Sequence, residues 1–301
     1  MATFSENLIN IVNGKGTKAE KVQTMVCMGL TPNEADVFYR VNHKSVRIQH
    51  RETYQYTFGV EIECLFMPNQ TYSALQQLGV GYKADMGYHH TNGNKCFEFK
   101  RDGSLHGNDN SAHRPIEMVS PVLKGGKGFG QLEKACKALN EGDARVNKTC
   151  GLHVHIGVER LSDEAYVNIF RNYQMLESVI DSFMAESRRK NNNTYCKSIK
   201  NIDFSACITK EDVAVAMSRN RYYKVNAMSY RMHRTIEFRQ HQGTTNFEKI
   251  KMWVNFCAKL VEFSRSNVIL DRVYDIDSIP FLTPTEKRFY KARHNELNNQ
   301  R

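Results

Sequence analysis

Two glutamates sit two residues apart inside an apolar run, Gly59-Val60-Glu61-Ile62-Glu63, and they restrict how this chain can fold. Residues i and i+2 of a strand point to one face. A strand here sets Glu61 and Glu63 side by side and turns Val60, Ile62 and Cys64 to the opposite face. Neighbouring like charges on a strand repel. The pair therefore calls for a cation, a substrate or a partner charge between its members.

The same alternation recurs along the chain. Glu98, Lys100 and Asp102 share a face. Glu117 stands alone in Pro-Ile-Glu-Met-Val-Ser. His153 and His155 alternate with Leu152, Val154 and Ile156, and Glu237, Arg239 and His241 alternate with Ile236, Phe238 and Gln240. Each piece has a plain reading by itself: a solvated Glu pair, a surface or core histidine, a cross-strand salt bridge. An ordinary half-exposed sheet face also carries Thr, Ser, Lys and Gln. Here the polar positions concentrate carboxylates, imidazoles and an arginine. Carboxylate oxygens suit hard cations such as magnesium, imidazole ligates metal or donates to an oxyanion, and arginine grips phosphate with two parallel donors. A shared cation-binding site on one sheet face follows as the expectation.

The elements around these strands are mixed. Residues 1–50 read as helical, with capping boxes at Thr17–Glu20 and Thr31–Glu34 and a stop at Gly29. Helix, glycine turn and helix in a basic chain raise a DNA-reading helix-turn-helix. Glu34 and Asp36 at the start of the second helix favour a packed helical hairpin instead. Strands are expected over Tyr54–Phe66, Phe97–Asp102, Pro115–Val122, Cys150–Val158, Tyr222–Met228 and Thr235–His241, with a hairpin at Asn92-Gly93. A short helical stretch falls near Tyr72–Leu78. Further helices follow the caps Ser162, Thr209, Asn246 and Thr283, and one covers Leu132–Leu139. The glycine-rich stretch Gly125–Gly130 lacks the Gly-Lys-Ser/Thr closure of a phosphate loop and reads as a mobile connector. The fold class is α+β.

Charge and cysteines bound the partners. A net charge of +10 favours an anionic ligand without choosing among nucleotide, acidic peptide and nucleic acid. No apolar run approaches the roughly 20 residues of a membrane span, and Met1–Gly14 lacks the pattern of a secretory signal. Eight scattered cysteines without a CxxC pair point to reduced thiols and a cytoplasmic protein.

Taken in order, the motifs resemble the amidoligase family, carboxylate–amine ligases related to glutamine synthetase and glutamate–cysteine ligase. The matching residues are Gly59–Glu63, Asp102-Gly103-Ser104, Glu117-Met118-Val119-Ser120-Pro121 and Cys150-Gly151-Leu152-His153-Val154-His155. Ser187-Arg188-Arg189 with Tyr195-Cys196, Arg221 to Asn226, and Thr235-Ile236-Glu237-Phe238-Arg239 with Gly243-Thr244 complete the set. The resemblance implies a glutamine-synthetase-like curved antiparallel sheet, a half-barrel backed by helices, as a catalytic domain over 51–266. A helical extension (1–50) and a C-terminal helical tail (267–301) packing on the domain flank it.

It further implies ATP-dependent amide formation through an acyl phosphate. Glu61, Glu63, Glu117, Glu237 and His155 would hold magnesium, two ions in all. Arg188 and Arg239 would neutralise the transferring phosphoryl group. Asp102 and Asn226 would face substrate or ATP, and His153, His155, Arg189 and Arg239 would contact the nucleotide. Partners would be a carboxylate and an amine, a peptide or protein among the candidates, with no membrane. A metal-dependent hydrolase or nuclease on the same acidic face, and a nucleic-acid-binding protein, are the alternatives.

Overall fold

The computed structural model describes residues 4–36, 38–39, 56–84, 87, 95–107 and 112–299. They fall into two compact units, Met1–Glu52 and Thr53–Arg301. The expected hairpin at Asn92-Gly93 lies outside the described residues.

In the first unit, helices α1 (Phe4–Asn13) and α2 (Lys18–Cys27) are followed by helical residues 32–36. Thr17 and Glu20 cap α2 reciprocally, and Thr31 and Glu34 repeat the arrangement. Leu8, Val12, Met25, Ala35 and Tyr39 form a small core. Two basic side chains are engaged internally. Lys18 pairs with Asp36 at 2.6 Å, and Lys21 Nζ donates to the Val12 carbonyl at 2.9 Å.

The second unit is an α+β layer built on an open eight-stranded sheet. Its strands are β1 (Thr57–Phe66), β2 (Tyr82–Lys83), β3 (Phe97–Lys100), β4 (Arg114–Val119), β5 (Leu123–Lys124), β6 (Gly151–Gly157), β7 (Val225–Asn226) and β8 (Thr235–Gln242). The order is β2-β3-β4-β1-β6-β8-β7, with β5 on the start of β1. Neighbours run antiparallel except β2 and β3. Strand β1 lies at the centre, so one face of it must be apolar and covered. Val60, Ile62 and Cys64 supply that face, each at most 1% exposed.

Three helices cover it: α4 (Gly125–Glu141), α5 (Asp163–Ser182) and α8 (Phe247–Phe263). Phe129 of α4 stacks on Phe58, Tyr173 of α5 meets Phe238, and Trp253 of α8 meets His241. Each fully buried aromatic or aliphatic side chain contributes about 1.5–3 kcal/mol. Shorter helices α3 (Pro68–Gln77), α6 (Lys210–Ala216), α7 (Ser229–His233) and the C-terminal α9 (Pro284–Asn298) complete the unit. Helix α9 packs against α8 through Tyr290, whose hydroxyl donates to the Met252 carbonyl, and through a buried Lys259–Glu286 pair. No helix among the described residues is long and apolar enough to cross a membrane.

Local differences from the sequence expectation have local causes. Gly125–Gly130 is the opening of α4 rather than a connector. A Cβ on Gly128 would stand 3.0 Å from Leu123 Cβ, so glycine lets the helix start close against β5. The strand expected over Pro115–Val122 stops at Val119, because Ser120 turns its hydroxyl to the Val60 amide and Pro121 has no N–H to donate. The strand expected over Tyr222–Met228 shortens to Val225–Asn226.

Candidate active site

Register brings the polar positions together. Glu61 pairs with His153 of β6, and Glu63 with Glu117 of β4. His155 pairs with Glu237 of β8, and Glu237 with Asn226 of β7. Alternation keeps all of these on the face opposite the helices. They meet in or beside a cavity of about 1300 Å³, larger than the roughly 300–1,000 Å³ of an ordinary small-molecule site.

Distances show a network. His153 Nδ1 lies 2.9 Å from Glu61 Oε2 and 3.6 Å from Glu237 Oε1, and its Nε2 lies 3.5 Å from Glu63 Oε1. His155 Nε2 lies 3.2 Å from Glu61 Oε1 without hydrogen-bond alignment, while its Nδ1 is 3.0 Å from Thr235 Oγ1. Arg239 donates to Glu237 Oε1, and Asn226 Nδ2 donates to the other oxygen at 2.6 Å. The backbone N–H of Gly151 donates to Glu63. Glu63, His153, Asn226 and Glu237 are buried, while Glu61, Glu117, His155 and Arg239 are partly exposed to the cavity side.

The electrostatics follow from this crowding. Burial drives the Glu61 carboxyl up, but the hydrogen bond from His153 and the close approach of both imidazoles outweigh it and hold the group well below its ordinary value. Burial also acts on Glu237, where Arg239 and then His155 prevail and lower it. Burial would depress the His155 imidazole, and Glu61 and Glu237 raise it instead. Glu117 has no such partner. Burial and then the charges of Glu61, Glu63, Asp102 and Glu237 push its carboxyl well above the ordinary range.

Two sets of possible ligand atoms result. Those of Glu61, His153 and Glu237 lie within 4.8 Å of one another, and so do those of Glu63, Glu117 and His153. Opposite ligands on an octahedral magnesium ion stand about 4.2 Å apart, so small side-chain rotations close either set on an ion. The sets combine carboxylate oxygens with one imidazole, and the crowding of acids that raises Glu117 is relieved by a cation among them. The donor set therefore fits a hard divalent ion.

The expected site residues fall in and around these sets. His153, not His155, belongs to both sets, because register places it directly opposite Glu61 while His155 faces Gly59. Asp102 lines the cavity beyond the end of β3, its Oδ1 accepting from the Ser104 amide at 2.7 Å. Arg239, Asn226, Glu61, Glu117 and Glu237 line it as well.

Arg188 and Arg189 do not. Arg188 is 3% exposed, donates to the Thr149 carbonyl and flanks Gly151, where an added Cβ would stand 3.1 Å from its Nη1 and 3.2 Å from Glu63 Oε2. Arg189 is bound to the Met184 carbonyl and to Asn298 of α9. The loop they share is packed down rather than poised over the cavity.

His241 also leaves the polar face. A bulge opposite His153 sets one extra residue into β8, so His241 turns to Trp253 among the helices. Burial, aided by the charges of Arg293, Arg188 and Lys249, takes its imidazole down to about 3.

Other cavity residues carry no alternating pattern that would mark them in the sequence. Arg221 precedes β7, Arg234 sits in a left-handed conformation (φ 57°) just before β8, and Lys124 and Arg160 lie at strand ends.

The search of the curated proteins returned no match. The profile of the family described as "putative amidoligase enzyme" matches residues 54–261. That span holds β1 to β8 and every carboxylate and imidazole of the two ligand sets. By this match, which covers more than half of its length, the chain belongs to the amidoligase family.

Proposed function

We propose that this amidoligase joins a carboxylate to an amine at the expense of ATP, on a sheet of the glutamine-synthetase-like half-barrel kind. The observation carrying the reading is the pair of ligand sets that share His153. Adjoining cation positions beside a half-buried arginine, Arg239, are what transfer from a triphosphate requires, since positioning and charge neutralisation carry that chemistry. Magnesium held by Glu61, His153 and Glu237, or by Glu63, Glu117 and His153, would supply that neutralisation; His153 has one lone pair to give and would serve one ion, with the remaining carboxylates left for a second.

The chain's own residues do the rest. Arg239 and Asn226 fix both oxygens of Glu237, and the Gly151 amide fixes Glu63, so the face is organised before ligands arrive. Arg239 also presents charge to the cavity for the phosphoryl group in transit. The substrate carboxylate takes that group and becomes an acyl phosphate. The amine then attacks the carbonyl carbon and phosphate leaves. Asp102 lines the same cavity and stands outside both ligand sets, which suits it to accept the amine's proton. Eight free cysteines, most of them buried, suit a reducing compartment such as the cytoplasm.

The test incubates the protein with ATP, magnesium and pooled carboxylates and amines, reading ADP and products by mass. The reading predicts ADP together with a product lighter than its two components by one water, both lost in Glu61→Gln. Cleavage of a phosphodiester without ADP would replace it with the metal-dependent hydrolase.

A further inference from the structure

The cavity extends past the ligand sets to the end of the sheet where β1 begins, β6 ends and β8 begins. Lys124 pairs with Thr57 in register, Gly157 pairs with Thr235, and the Val158 amide donates to the Arg234 carbonyl at 3.0 Å. These contacts set Lys124, Arg160 and Arg234 at one mouth of the cavity, all three exposed and all lining it. Among the described residues no carboxylate lies within ion-pair distance of any of them. Arg234 rests over the Tyr230 ring, 5.2 Å from its centroid. One acid of the lining, Glu159, adjoins Arg160 in sequence, which leaves these four side chains with two positive charges in excess; Arg265 beside them is paired with Glu262.

Between the basic mouth and Glu61 the cavity is lined by Thr57, Gly59, Gly157 and His155. Gly59 and Gly157 bear no side chain there. Four residue steps of strand, from Thr57 to Glu61, span about 13 Å. Two large apolar side chains, Val122 and Met232, line the same cavity while 70% exposed each. A free phosphate or a nucleotide phosphate has no use for them. A nucleic-acid strand would want exposed rings to stack on, and the aromatic rings lining the cavity, Tyr56 and Phe58, are buried. Apolar side chains beside unpaired cations fit a peptide with acidic and apolar residues.

We propose that Lys124, Arg160 and Arg234 form a subsite for an acidic peptide, which holds a negative group at the mouth, about 13 Å along the sheet from Glu61. This rests on the ligase reading for the identity of the activated group, but the subsite itself does not. A cleft lined by one sign of charge concentrates ligands of the other sign. Acidic peptides then enter from this mouth toward Glu61.

The test uses the full chain without ATP. The probe is a fluorescein-labelled Glu-Glu-Leu-Glu-Glu-Leu peptide followed by anisotropy at low salt, with a labelled oligouridylate in parallel. The double variant Lys124→Glu with Arg160→Glu changes two exposed side chains and leaves both ligand sets intact. The expected result is saturable peptide binding by the native chain, weakened about tenfold or more in the double variant. The stabilisation of the double variant by ATP and magnesium is expected to be unchanged. Absence of peptide binding, equal binding by the variant, or tighter binding of oligouridylate overturns the subsite. Loss of the ATP response in the variant overturns it too, since the mouth would then belong to the nucleotide. Peptide binding without any ATP response in the native chain would keep the subsite and remove the ligase reading.

Discussion

At the scale of residues, the site is a balance between crowded carboxylates and the few cations near them. Glu61 and Glu237 have imidazole and guanidinium partners, while Glu117 faces four other acids. A carboxyl raised in the folded state favours folding at low pH, and that contribution is lost as pH climbs above the ordinary carboxylate range. Glu117→Gln removes the loss. In the presence of a chelator this variant should melt a few degrees above the native chain, by a margin that grows between about pH 5 and pH 8. Saturating magnesium should reverse the order, because the variant lacks one ligand oxygen. Thermal melts at three pH values, with and without magnesium, read both effects; a margin independent of pH contradicts the charge account.

That histidines share a sheet face with Glu61 and Glu63 was legible in the alternation of 151–157. Which histidine lies opposite Glu61 was not, because a strand's own pattern says nothing of the register it takes with its neighbour.

At the scale of elements, the caps and periods in the chain match what forms. Ser162, Thr209, Asn246 and Thr283 each cap the helix expected of them, since a cap is a local bond between near neighbours. The bulge that turns His241 inward and the packing of Arg188 and Arg189 depend on distant elements, so a local reading of these arginines as phosphate and nucleotide contacts had nothing to correct it.

What pins that loop is a buried ion cluster. Lys224 Nζ donates to Glu177 at 2.8 Å and to Asp181 at 2.5 Å, all within the layer between sheet and α5. Asp181 also receives the Lys190 amide and the Gln240 side chain, and Gln240 in turn reaches the Arg188 carbonyl. Lys224→Met leaves two buried carboxylates without their cation and should cost about 3–5 kcal/mol. At about 2–4 °C per kcal/mol for a unit of this size, the melting temperature should fall by at least about 6 °C. Denaturant unfolding checks the free energy, and a change below about 1 kcal/mol would show the cluster to be dispensable.

At the scale of the whole molecule, the two compact units have separate cores, with Leu8 to Tyr39 in one and Tyr56 to Tyr290 in the other. A chain beginning at Thr53 should therefore keep its cooperative melt and its response to ATP and magnesium. Circular dichroism and the same melts test this, and an unfolded product would mean that the second unit depends on the first. The α+β class and the polar sheet face were readable from period and residue type. The order of strands was not, because β6 and β8 lie some 90 and 180 residues beyond β1 and only tertiary pairing joins them.

The central claim is that Glu61, Glu63, Glu117, His153 and Glu237 hold magnesium against a triphosphate. The most direct measurement is the melting temperature of the native chain and of Glu61→Gln, each with magnesium alone, ATP alone and both together. A stabilisation needing both ligands, about 2.7 kcal/mol at a hundredfold excess over Kd and nearly absent in Glu61→Gln, is the predicted result. An equal stabilisation of the variant, or none for the native chain, would contradict it.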